Sequence, residues 1–435
     1  MFSRKKQQHL ATNLATTPSD QSYWAIVKRQ FNKNRLAVWS LRCLLVLVGI
    51  AIFADFLANE KPLWCTIDGK SFSPVVRNYA VSLGLARWDE KFITTPWSEQ
   101  TYQSVVHAPI PYSPTTMDKK NKHFKSPFDE QRIESIRWKH WLGTDQQGRD
   151  VAAGMIHGTR IAMMVGILSM LIATCIGIFI GSLAGYFGDT KLQMSRIRLI
   201  LLPFALFATW FYTLAIRATF LAQSSVLRQL LLCTLIAAGI LLVFHLLTTL
   251  LKRIPALGKK ITLSVDLAVM RLIEIFNSIP SLLLILSIVA IIEKPNILYV
   301  MIIIGFISWT GIASFIRAEL LRVRNLEYIE AAEAMGFSNL RIILRHAIPN
   351  ALTPVLISIA FGVAGAILTE AFLSFLSVGV SAEQVTWGSL LNIARGKFDA
   401  WWLAIFPGLA IFFTVTLFNL IGEGLTDALD PRLKQ

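Results

Sequence analysis

The residues of this chain offer little catalytic chemistry. There is no GxxxxGK[ST] phosphate loop, no HExxH pair and no Cys and His spacing of a metal site. No nucleophile stands with a base in the way an intramembrane enzyme would need. No catalytic, cofactor-binding or metal residue is expected, and the residues that remain of interest could recognise and move things. Foremost is a polar stretch, Glu327-Tyr328-Ile329-Glu330-Ala331-Ala332-Glu333-Ala334-Met335-Gly336-Phe337-Ser338-Asn339-Leu340-Arg341-Ile342-Ile343-Leu344-Arg345-His346-Ala347-Ile348-Pro349-Asn350, which reads as helix, glycine turn, helix. Tyr328 to Met335 are good helix formers and Gly336 suits a C-terminal cap with positive φ. Ser338 or Asn339 can cap the next helix, which Pro349 would end. The small pair Ala331 and Ala332 would leave a slim helix face. Such a helix can seat in a groove on a soluble partner and transmit a push from it. An interfacial helix resting on lipid headgroups fits the composition equally well.

Other candidates are polar residues in apolar surroundings, where a charge costs ~2.5 to 3.5 kcal/mol on insertion scales. Glu370 lies deepest, and it either faces a translocation path and meets a substrate ammonium or pairs with a partner chain. Asn277 and Pro280, in Asn277-Ser278-Ile279-Pro280-Ser281, could supply irregular backbone to the same path. Arg271 and Glu274, three apart, suit a local pair, and Arg317 and Glu319 could reach headgroups. Thr144, Asp145, Arg149 and Asp150 either stabilise turns or touch an external binding protein. Trp387, Trp401 and Trp402 suit interfacial anchoring.

The elements that must carry these residues are membrane helices. Of 435 residues 54% are hydrophobic and 16% charged, and apolar runs lie near 38 to 58, 161 to 186, 199 to 220, 229 to 251, 270 to 292, 298 to 316, 353 to 377 and 403 to 425. Each is about 20 residues, enough to cross the ~30 Å core of a bilayer. The net charge of +15 would suggest nucleic acid in a soluble chain. Here Lys and Arg collect in alternate connectors, as the positive-inside rule requires, and no nucleic-acid partner is expected. The expectation is an all-α polytopic membrane protein of about eight spans, with both termini cytoplasmic.

In detail, residues 1–37 form a basic cytoplasmic segment that includes Arg4, Lys5 and Lys6, and 38–58 the first span. The polar Asn59-Glu60-Lys61-Pro62 after it favours an uncleaved anchor over a signal peptide. A Pro-rich extracytoplasmic region at 59–160 should be loop-rich and packed by aromatics. A second span at 161–187, a hairpin at 188–262, a core at 263–425 holding the polar loop 317–350, and a tail at 426–435 complete the chain. The basic connectors, Lys191 with Arg196 and Arg198, Lys252 to Lys260, and 317 to 350, should face the cytoplasm, and the turn at 221 to 228 the other side. Cys43, Cys65, Cys175 and Cys233 form no CxxC pair and should be free thiols.

Glu330-Ala331-Ala332, then Gly336, then Ile348-Pro349 resembles the EAA motif of ABC importer permeases, and His346 before Ala347-Ile348-Pro349-Asn350 resembles its variant in the peptide and nickel group. The lead-in Arg29 to Ala37, the stretches Leu142 to Asp145 and Gly148 to Asp150, and the tail Asp427-Ala428-Leu429-Asp430-Pro431-Arg432 are similar to the dipeptide and oligopeptide C-type permeases. Ala58 to Leu63 with Asp68-Gly69 further resembles the oligopeptide and microcin C import subgroup, which has an enlarged first external loop. The resemblance implies a type I transmembrane domain of an importer for peptides in the bacterial inner membrane. It makes the polar loop the coupling helix, with Glu330, Ala331, Ala332 and Gly336 docking on an ATPase and Pro349 marking its end. It further implies a second permease subunit, two ABC ATPase subunits that bind ATP and Mg, an extracytoplasmic substrate-binding protein, and alternating access. Nickel is the lesser cargo, since no intramembrane His or Cys cluster suits it. An ion-driven secondary transporter is the rival class; it would show internal repeats and paired midplane charges, which the sequence lacks. One departure is the hairpin of roughly 70 residues where the family passes almost directly to the equivalent of Asp266. Lipid-facing decoration is its simplest reading.

Overall fold

The computed structural model describes residues 23–189, 193–220, 226–293, 296–379, 381 and 384–429. Arg4, Lys5, Lys6, Lys191, the turn at 221–225 and Asp430-Pro431-Arg432 lie outside the described residues. In hydrocarbon every backbone N–H and C=O must be paired internally, so spans of this composition become helices. Among the described residues seven are long and apolar enough to cross, and a pair bent by 76° would make an eighth if its two halves form one span. The chain divides into two compact units.

The first unit comprises the chain up to Phe179, Phe276–Ile316 and the chain from Ile348. It opens with α1 (Tyr23–Phe31) and α2 (Arg35–Ile52). Asn34 starts α2, its side chain accepting from the Ala37 N–H at 3.1 Å while its amide donates to Asp427 at 3.1 Å. The region between α2 and the next long helix folds around a three-stranded sheet of order β2-β1-β3, from β1 (Trp64–Ile67), β2 (Lys70–Phe72) and β3 (Ser104–Val106), with α3 (Pro74–Ser82) beside it. Phe92 stacks on Trp97 at 5.3 Å, and Trp88 meets both edge-on. Aromatic area thus substitutes for the core that a Pro-rich, strand-poor segment cannot build. Cys65 is buried in β1, and all four cysteines are free.

α4 (Val151–Phe187) begins ten residues ahead of the apolar stretch from which the span was read. Its first turns are polar enough to escape a hydropathy reading, yet they are packed: Gly158 lies beneath the Trp387 ring, where a Cβ would clash. At the far end of the chain, any Cβ on Gly424 would collide with Ala37. Close backbone approach at small residues is how helices gain contact where lipid is as apolar as leucine. The buried cluster Val165, Ile285, Val289, Val300, Met301 and Leu373 ties this unit together.

The second unit comprises Ile180–Ile275 and Arg317–Ala347. β4 (Gln193–Ser195) leads into α5 (Arg196–Phe220), α6 (Val226–Leu251) returns, and β5 (Lys260–Thr262) pairs antiparallel with β4. The hairpin therefore leaves from a closed neck. α7 (Val265–Ser278) and α8 (Ser281–Ala290) follow, bent by 76° at the break that contains Pro280. Proline has no N–H to donate and disfavours helix in the residue before it. α9 (Ile297–Val323), α10 (Glu327–Ala334), α11 (Asn339–Ile342), α12 (Ile348–Phe375), α13 (Trp387–Arg395) and α14 (Trp402–Leu429) complete the chain.

Candidate functional site

The polar connector is built as the residue pattern requires up to Gly336, and differently after it. α10 closes with the two bonds of a Schellman cap: Phe337 N–H to Ala332 C=O at 3.2 Å and Gly336 N–H to Glu333 C=O at 2.9 Å. Gly336 has φ +78°, and nothing lies within 4 Å of where its Cβ would be. The alanine pair does not act as one face, because neighbours on a helix point 100° apart. Ala332 and Ile329 are buried, while Ala331 and Glu330 are exposed. Ser338 flanks α11 without a side-chain cap bond.

Pro349 does not end this segment. It is the second residue of α12, and the π-helical turn at Ile343–Ala347 just before it carries the helical path across the residue that has no N–H to donate. The helical path from Asn339 therefore runs on to Phe375, 37 residues in all. His346 sits in that turn and stacks on Phe337 at 6.3 Å, with the Arg341 guanidinium 5.5 Å above the Phe337 ring.

Within the same unit the connector is braced from behind. The Arg317 guanidinium grips Asp266 with two bonds, Nη2 donating at 2.6 Å. The Tyr186 hydroxyl can donate to Glu333 at 3.1 Å or Asn339 at 3.2 Å. Arg317 thus holds a carboxylate in place of the headgroup contact its position suggested, and Arg322 pairs with Glu319. Arg271 and Glu274 do pair locally, at 2.6 Å. Four large apolar residues of the connector are exposed: Tyr328 at 42%, Met335 at 65%, Leu340 at 66% and Leu344 at 59%. Sequence reasoning fixed on the motif and missed them, although they alternate with its charges in plain view.

In the first unit a cavity of about 580 Å³ opens among α4, α9 and α12. Its wall includes Ser308, Gly311, Phe315, Ser358, Gly365 and Thr369, and at Gly311 and Gly365 the space beside the backbone is empty. The expected path residues are elsewhere. Asn277 and Pro280 are exposed at the α7–α8 break and do not line it. Glu370, one residue past Thr369, turns inward and is 2% exposed. Ser374 Oγ donates to its carboxyl at 2.5 Å and the Thr386 hydroxyl is within reach. Thr386 in turn caps α13 in a reciprocal box with Ser389. Within the chain Glu370 fastens α13 to α12, because a helix turns successive side chains apart and the serine four residues on completes the pair. The lining of this cavity is legible in the sequence as Ser, Gly and Thr at helical spacing in α9 and α12.

The external residues are structural. Thr144, Asp145 and Asp150 are buried, so they cannot face a binding protein, and only Arg149 is partly exposed. Arg149 pairs with Asp145 at 2.6 Å, the Thr144 hydroxyl donates to the Asn121 carbonyl at 2.9 Å, and Asp150 accepts the Ala153 N–H at 2.7 Å as the cap of α4. Asp150 also holds fully buried His140 at 2.7 Å, with Asp118 on the other ring nitrogen at 3.3 Å. Burial opposes charge on His140, but the bonds and charges of Asp150 and Asp118 outweigh it and raise its pKa. Trp387 and Trp402 are likewise buried and donate to the carbonyls of Met155 and Thr144, each at 3.1 Å. They are packing residues rather than lipid anchors; Trp401 alone keeps 36% exposure.

A helical multi-pass membrane protein whose spans surround a cavity and carry a braced amphipathic connector is of the transport class. Residues 256–435 match the family described as binding-protein-dependent transport system inner membrane component, and residues 22–70 match the N-terminal TM domain of oligopeptide transport permease C. The oligopeptide transport system permease protein OppC of Haemophilus influenzae is 30% identical over 294 residues, covering 67% of this chain and 70% of that one. The inner membrane ABC transporter permease protein YejE of Escherichia coli is 29% identical over 420 residues, 95% of this chain and 98% of its own. The peptidoglycan transport system permease protein YejE of Agrobacterium fabrum is 28% identical over 443 residues, 96% and 94% of the two chains. The chain belongs to the family of binding-protein-dependent transport system inner membrane components, and it is a multi-pass inner membrane protein.

Proposed function

We propose that this chain is the permease subunit of an ATP-driven ABC importer for peptides, and that the 317–350 connector is seated in an ATPase subunit that drives it. The observation that carries this reading is the apolar row Tyr328, Met335, Leu340 and Leu344, exposed on a connector that is otherwise polar and rigidly braced. Burying such side chains is worth about 1.5 to 3 kcal/mol each, which favours a protein groove as the occupant over water. The oligopeptide transport system permease among the relatives supports the cargo class.

In this reading ATP and Mg are bound by two partner ATPase subunits and hydrolysed there, with no reaction in this chain. A second permease subunit closes the open side of the cavity lined by Ser308, Gly365 and Thr369, and an external binding protein delivers the peptide. Both termini and the connector face the cytoplasm. Closure of the ATPase pair moves the connector, and α9 and α12 swing about the cavity between outward and inward access.

The test is purification of the tagged chain followed by uptake in proteoliposomes of labelled peptides graded in length. A second permease and ATPase subunits should copurify, and uptake should need ATP inside. Peptide uptake by the chain alone under an ion gradient, or uptake of Ni²⁺ instead of peptide, would overturn it.

A further inference from the structure

The hairpin between Gly188 and Asp266 differs in charge from the rest of the chain. Residues 190 to 264 include no Asp or Glu. At its neck, where β4 pairs with β5, six cations are exposed: Arg196, Arg198, Lys252, Arg253, Lys259 and Lys260. None of them enters an ion pair among the described residues. Beyond the neck α5 and α6 pack on each other and bury little else: Thr248 is the one buried residue of Arg228–Leu251.

Between the two helices runs an apolar groove of about 370 Å³, lined by Ala208, Tyr212, Ile236, Gly239, Val243 and Phe244. Nothing lies within 4 Å of a Cβ at Gly239, so the groove is open there. Along α6, Phe244 and Ile236 stand about 12 and 24 Å from Lys252 at ~1.5 Å rise per residue. Half the hydrocarbon core is about 15 Å deep. The groove thus begins at the depth an acyl chain occupies after leaving a headgroup held at the collar, and it continues past the midplane.

We propose that the hairpin binds one anionic phospholipid, its phosphate held by the six-cation collar and an acyl chain laid in the groove. Charge complementarity selects this occupant. A zwitterionic lipid would bring its own ammonium into an unpaired positive field, and a partner helix would have to bring acids to it. Orientation of the hairpin needs the charges alone, whereas this site needs charge and groove together. The site does not depend on what the protein transports.

The full chain is reconstituted in nanodiscs of equal phosphatidylglycerol and phosphatidylcholine, extracted, and the retained lipid counted by native mass spectrometry. One phosphatidylglycerol should be retained. K259Q/K260Q should weaken it about 25-fold, roughly fivefold for each charge lost at such a surface, while four collar cations remain to orient the hairpin. K259R/K260R should restore it. G239L, which fills the groove with the charges intact and favours helix, should also expel the lipid. Equal retention of phosphatidylcholine, undiminished retention in K259Q/K260Q, or undiminished retention in G239L would overturn the site; so would a membrane protein found in the groove in its place.

Discussion

Gly336 gives the sharpest test of the coupling role, because its fold requirement and its docking requirement can be separated. Its φ of +78° places it in the left-handed region, where an L side chain costs about 1 to 2 kcal/mol. The backbone strain is nearly the same for alanine and for tryptophan, and no atom lies within 4 Å of the Cβ position from which either side chain starts. Asparagine tolerates this region and should suffer less. Within the chain, therefore, G336A and G336W should fold and insert alike, with similar amounts in the membrane on immunoblots. Outside the chain they differ greatly: an indole at this turn projects from the same exposed surface as Met335 and Leu340. In proteoliposomes holding the whole importer, G336N should remain near wild type and G336A should lose uptake a few-fold. G336W should lose more than about tenfold, the effect of about 1.4 kcal/mol or more of lost docking energy, and ATP hydrolysis should no longer respond to cargo. Equal uptake by G336W and G336A would refute the reasoning, since only a partner surface can distinguish them.

Other outcomes follow from the contacts above. D266N removes the charge that holds Arg317 and should destabilise the chain by about 1 to 3 kcal/mol, read as a lower melting temperature in detergent; an unchanged melt would remove the bracing role. E370Q keeps an acceptor for Ser374 and should transport within about twofold of wild type, whereas E370A leaves polar groups unpaired; a collapse of uptake in stable, assembled E370Q would return Glu370 to the path. At Gly365 no atom lies within 4 Å of a Cβ, so G365L, whose side chain would extend into the cavity, should insert normally but block uptake, most strongly for long peptides, and full uptake would separate this cavity from the path.

His140 should make the external region sensitive to pH. Its folded pKa is raised, so its contribution is fully present below the unfolded value of about 6.5 and fades as pH rises through the folded one. Asp118 acts in the opposite direction. Burial opposes its charge, but bonds from Asn121, the Lys120 backbone and His140 hold its pKa low, so its contribution is lost only as pH falls through that depressed value. The wild type should therefore resist external proteolysis better at pH 5.5 than at 8.5, and H140Q should abolish the difference. An identical pH profile in H140Q would show that the buried imidazole does not set it.

The sequence alone determined the membrane class, the apolar segments long enough to cross and the cap at Gly336, because these depend on local composition and on bonds between near neighbours. Apolar length specifies a crossing whatever it packs against, and a glycine where φ must be positive announces itself. Tertiary structure alone decided which way side chains face. Glu370 turned out to fasten α13, Thr144 and Asp150 to build a buried corner, and Pro349 to lie inside a continuous helical path rather than end one. Each outcome rests on a partner far away in the chain or on the continuation of a helix through a π turn. Ser374 and Thr386 decide Glu370, and His140 decides Asp150. The braces Asp266–Arg317 and Tyr186–Glu333 join residues 51 and 147 positions apart. No periodicity within a single helix encodes such pairs, because only packing brings them together.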